Sequence, residues 1–100
     1  MLALTSSGCT ASHSFIVRSQ DKIEGATASI CGKSIVTRVT SFSATGSFTP
    51  SCPGPLIVHV RTTGTVAECT LGYIDSAESS KQFSFSVKGQ ECRLTAELPS

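Results

Sequence analysis

Apolar and polar residues alternate with period two along the second half of the chain, the pattern of strands with one face buried. In Leu56-Ile57-Val58-His59-Val60-Arg61, Leu56, Val58 and Val60 share one side while His59 and Arg61 point to the other. Between Gln82 and Lys88, the inward set is Phe83, Phe85 and Val87, against outward Gln82, Ser84, Ser86 and Lys88. From Glu91 to Leu98 the same rule puts Cys92, Leu94, Ala96 and Leu98 on one face. Val66 to Tyr73 follows it with Ala67, Cys69, Leu71 and Tyr73, so Cys69 and Cys92 are both expected to face the core. Three earlier runs are less sharp: Ser14 to Ser19 around Phe15-Ile16-Val17, Ala26 to Cys31, and Ser34 to Thr40 with Ile35, Thr37 and Val39 on one side.

Turn-forming residues separate these runs: Gln20-Asp21-Lys22, Gly32-Lys33, Thr49-Pro50-Ser51, Thr63-Gly64, Ser76 to Ser80 and Gly89-Gln90. Pro53 and Pro55 each lack a ladder donor, so Cys52 to Pro55 is expected to be a connection or an edge. No segment offers the apolar stripe of an amphipathic helix. Seven or so short strands at this spacing predict an all-β, antiparallel sandwich of two sheets, with a small barrel as the competing arrangement. Residues 1–12 read as a lead-in or linker and residues 13–100 as one sandwich domain.

Composition narrows the function classes. A chain of 100 residues is one domain. The formal net charge is +1, from eight basic and seven acidic residues, and the basic ones are scattered singly along the sequence. That removes the footprint expected of a partner that is nucleic acid or an anionic membrane. Hydrophobic content of 39% excludes a highly charged disordered chain, although 29 residues are serine or threonine. The longest apolar run is far too short for a membrane-spanning helix, and the start of the sequence lacks the basic and apolar regions of a signal peptide. Without an export signal of its own, the chain reads as a fragment of a larger ectodomain.

Five cysteines, Cys9, Cys31, Cys52, Cys69 and Cys92, imply a disulfide framework in an oxidising space. Zinc needs closely spaced ligand pairs, and the only approach to one is Cys9 with His13. An odd count leaves one thiol over and several connectivities open. Cys9 is the expected outlier, because Thr5-Ser6-Ser7-Gly8-Cys9-Thr10 has no alternation, whereas Cys31, Cys52, Cys69 and Cys92 lie in or beside strand-like runs.

Catalytic chemistry is not legible. A hydrolytic triad needs nucleophile, base and carboxylate within mutual reach, and the only histidines are His13 and His59. No serine sits in a nucleophile-elbow motif and the glycines are dispersed. No enzyme activity, cofactor or metal is expected, and function should lie in a presented surface. Phe42, Phe48, His59 and Arg61 are the residues expected to form such a contact surface.

Core-facing Cys69 in Glu68-Cys69-Thr70-Leu71, the following Tyr73-Ile74-Asp75-Ser76, the phenylalanine strand and the closing Cys92 resemble the immunoglobulin-like third domain of class II membrane-fusion glycoproteins. Gamete fusogens and the fusion proteins of bunyaviruses and alphaviruses belong to that class. The absence of tryptophan departs from antibody-type domains. The resemblance implies an extracellular module on a cell or virion surface that does not itself insert into lipid. Its partners would be other domains or subunits of the same glycoprotein, a homotrimer in the parent, against whose core the module packs as the protein folds back. A second resemblance leads elsewhere: Leu2-Ala3-Leu4-Thr5-Ser6-Ser7-Gly8-Cys9 is similar to the end of a bacterial lipoprotein signal, which would make this a disulfide-bearing envelope domain lipidated on Cys9.

Overall fold

A computed structural model describes residues 12–49, 54–74 and 80–99. Among them the chain forms β1 (His13–Ser19), β2 (Ile23–Ile30), β3 (Lys33–Ile35), β4 (Thr37–Thr40), β5 (Ser43–Phe48), β6 (Gly54–Thr62), β7 (Thr65–Ile74), β8 (Lys81–Lys88) and β9 (Glu91–Pro99), with no helix. The expected all-β sandwich of two sheets is present as a five-stranded sheet ordered β4-β5-β1-β8-β9 packed on a four-stranded sheet ordered β3-β2-β6-β7.

Nine strands replace the expected seven for two physical reasons. The run Ser34 to Thr40 is cut at Val36, which is 90% exposed, as the chain leaves β2 in one sheet and joins β5 in the other. The Thr37 hydroxyl bridges the break by donating to the Ala26 carbonyl at 2.9 Å. The second addition, β5, carries its inward alternation on Ala44, Gly46 and Phe48, and small residues give a faint signal. Gly46 is required there: a Cβ at this position would lie 2.5 Å from the Phe15 ring, which fills the space over the glycine.

All neighbouring strands run antiparallel except β1 and β8, which are parallel in the register Phe15 to Phe83 and Val17 to Phe85. Alternation along a strand reports its buried face and is silent on the direction of its neighbour, so this pairing was not legible. The β2–β3 hairpin turns on Cys31 and Gly32, at φ 56° and 72°. Two positive angles in succession match the right-handed twist of a tight hairpin, at some cost for the non-glycine residue.

The core is built by the alternation read from the sequence. Phe15 and Val17 of β1, Leu56, Val58 and Val60 of β6, Ala67 and Cys69 of β7, and Phe83, Phe85 and Val87 of β8 are all buried. Burying one such aliphatic or aromatic side chain is worth about 1.5–3 kcal/mol before conformational entropy is counted. Gly54 and Pro55 belong to β6 but extend beyond Leu56, the last residue paired with β2, and a register shift leaves Pro55 out of the ladder with β7. The missing proline donor therefore goes unrequired.

The last strand corrects the expected face. Cys92 lies opposite Val87 and Leu94 opposite Phe85, on the core side. A bulge then inserts Thr95, whose hydroxyl donates to the Ser84 carbonyl at 3.1 Å. Past the bulge Ala96 pairs with Ser84 and Leu98 with Gln82, both on the outer side, and Leu98 is 51% exposed. One extra residue inverts every later side chain.

Candidate functional site

His59 and Arg61 stand where alternation predicts, on the outer face of the four-stranded sheet. Rows across that face are Thr27–His59–Glu68 and Gly25–Arg61–Val66, set by the β2–β6 and β6–β7 registers. His59 Nε2 lies 3.3 Å from Glu68 Oε1, with both side chains about half exposed. Glu68 Oε2 in turn accepts from the Thr70 hydroxyl at 3.1 Å. The Arg61 guanidinium rests over Gly25, where an added Cβ would meet Nη2 at 2.8 Å. A bulge at Glu24 in β2 adjoins this corner, and Glu24 accepts from the Thr63 hydroxyl at 3.4 Å. The result is a polar face with one imidazole, one guanidinium and one carboxylate held in register by the ladder beneath them.

Phe42 and Phe48 do not join it. Phe42, 54% exposed, sits in the turn between β4 and β5, at one end of the other sheet. Its carbonyl accepts from the Ser19 amide at 2.9 Å, which ties this turn to the end of β1. Phe48 is corrected from contact surface to core: it is 8% exposed, because β5 places it in line with Ala44 on the inner side. It packs against the His13 ring, centroid to centroid 5.6 Å.

His13 belongs to the same interior. It is 2% exposed, lies 6.0 Å from the Phe83 ring, and its Nδ1 accepts from the Lys81 amide at 3.2 Å. The imidazole thus joins the start of β1 to the start of β8. Sequence reasoning assigned it no role beyond an incomplete ligand spacing with Cys9; its parity with Phe15 and Val17 was the signal for a core position. Among the described residues no group of three or more histidine, cysteine or acidic side chains could hold a metal ion.

Cys69 and Cys92 form a disulfide, Cα to Cα 5.2 Å, that ties β7 of one sheet to β9 of the other. By the chain-entropy estimate a loop of this length stabilises by about 3 kcal/mol. Cys31 is also disulfide-bonded. Cys9 and Cys52 lie outside the described residues. A disulfide of this kind suggests an oxidising environment, extracellular or secreted.

Glu68 and Thr70 were not singled out from the sequence, yet counting outward from the Thr63-Gly64 turn pairs Thr62 with Thr65 and His59 with Glu68. The turn signal held the information. Comparison with protein-family models, curated proteins and solved structures finds no match to this chain.

Proposed function

We propose that this chain is a non-catalytic ectodomain module that works by being held against another protein surface, and that its setting is a class II-type membrane-fusion glycoprotein. The carrying observation is the outer face of the four-stranded sheet, where His59, Arg61 and Glu68 form a charged polar face over a rigid, disulfide-braced layer. Such a face suits a docking surface inside a larger assembly, because the groups that specify the partner are fixed by the sheet before contact. The sandwich, the sheet-to-sheet disulfide and the phenylalanine-rich strand beside it support the fusion-protein setting.

In that setting the partners are neighbouring domains or subunits of the same glycoprotein, a homotrimer, at a cell or virion surface. Cells displaying the full protein, mixed with target cells carrying a second content dye, test the reading. Arg61→Glu reverses the central charge of the face and should reduce content mixing several-fold at unchanged surface display. Mixing at the wild-type level would overturn it. The lipoprotein alternative rests on the Ser6-Ser7-Gly8-Cys9 stretch; the intact mass of native material carrying a diacylglyceryl group on Cys9 would establish that reading in its place.

A further inference from the structure

The basic residues that are scattered in sequence are gathered in space. On the outer face of the five-stranded sheet, Arg38 of β4 shares a row with Thr45, Ile16, Ser84 and Ala96. The next row runs Thr40, Ser43, Arg18, Ser86 and Arg93, and Lys88 lies opposite Glu91 beyond it. Four of the eight cationic side chains therefore occupy one face, with Glu91 as its single acid among the described residues. All five of these charged residues are exposed. Among the described residues the face has an excess of three positive charges, in a chain of net +1.

Three depressions mark the same face, and each holds at least one cation and at least one hydroxyl group. One of about 470 Å³ contains Arg38, Gln82, Ser14 and Ser47. A second, of about 510 Å³, contains Arg18, Thr40 and Ser43 and is bordered by the Phe42 ring. The third, about 260 Å³, contains Lys88, Arg93, Ser86 and Glu91. With strands about 4.8 Å apart and alternate residues about 6.8 Å apart, Arg38, Arg18 and Arg93 follow a line across the sheet at intervals on the order of 10–12 Å.

We propose that this face binds a sulfated polysaccharide chain laid across the strands. Charge complementarity selects a polyanion. The serine, threonine and Gln82 groups between the cations suit a ligand that carries hydroxyl and sulfate oxygens along its whole length, and such glycans share the oxidising compartment suggested by the disulfides. Phe42 is a lone ring at the border, short of the aromatic series on which successive bases of a single-stranded nucleic acid stack. The exposed apolar groups on this side, Val36 beside Arg38, Phe42 beside Arg18 and Leu98 at the β9 corner, belong to separate places rather than one continuous patch, and a vesicle arm of the test measures what they offer an anionic bilayer.

Retention on immobilised heparin, with the salt dependence of binding to heparin fragments in solution, tests the proposal. The wild-type chain should bind at low salt and release as salt rises, with a log–log slope of about 2–3 for three or four cations. The variant carrying Arg18→Gln, Arg38→Gln and Arg93→Gln should lose on the order of tenfold or more in affinity. A control of equal charge change on the outer face of the four-stranded sheet, Thr27→Glu, Val66→Glu and Thr70→Glu, should bind close to wild type. All six positions are exposed, and an unaltered thermal transition shows that each variant is folded. Flow-through of the wild type at low salt, equal losses in both variants, or tighter binding to oligothymidylate or to phosphatidylserine vesicles at matched salt would each overturn it.

Discussion

Gly46 shows how closely single positions are set. Its inner side is closed by the Phe15 ring, with the Val36 carbonyl 3.2 Å from where a Cβ would sit. Gly46→Ala should destabilise by about 1–3 kcal/mol through overpacking, read as a lower urea midpoint at unchanged slope. At this scale the sequence was most informative where large apolar residues alternate: the inward sets of β6 and β8 are buried as read. It was least informative where inward positions hold small or ambivalent residues. Ala44 and Gly46 hid a strand, and His13 was given no core position although its ring lies between Phe48 and Phe83. His59 and Arg61 were placed correctly by parity, whereas Phe48 needed β5 to be recognised first.

Among the elements, β9 separates pattern from pairing. Unbroken alternation would bury Leu98; the bulge at Thr95 exposes it. Leu98→Ala should therefore cost less than about 1 kcal/mol, the range of surface substitutions, while Leu56→Ala should cost about 3–5 kcal/mol through the cavity it leaves. Equal losses in a denaturant series would show that the alternation runs through Thr95 unbroken. Bulges have no residue signature as firm as a turn's, and this one became visible only through the register of β8 with β9. Hairpins were easier to read, because Gly32, Gly64 and Gly89 mark turns with positive φ. Once the Thr63-Gly64 turn is fixed, the His59–Glu68 pair follows by counting, so half of that face was available without coordinates. The cationic face of the other sheet was not: its four charges come from four strands, and only the strand order brings them together.

For the whole molecule the order of pairing governs folding. Hairpins β2–β3, β4–β5, β6–β7 and β8–β9 alternate between the sheets, and β1 finds its neighbour β8 nearly seventy residues away, as in the pair Ser14 with Gln82. Non-local pairing of this kind predicts folding in about milliseconds to seconds, as in other all-β sandwiches, and stopped-flow refolding with disulfides intact measures it. Microsecond refolding would mean that local hairpins alone set the barrier. The parallel pairing of β1 with β8 also has a mechanical corollary. Because β9 doubles back along β8, Ser14, Gln82 and Leu98 form one rung, which brings the opening of the first strand and the close of the last to the same pole, two strand spacings or roughly 10 Å apart. Tension applied to those two points pulls across the ladder rather than along it, so the rungs open in succession instead of shearing together. Loaded at those two points, the domain dangles from its grips like a pendant and yields early, with the Cys69–Cys92 link as the stop that halts the tear.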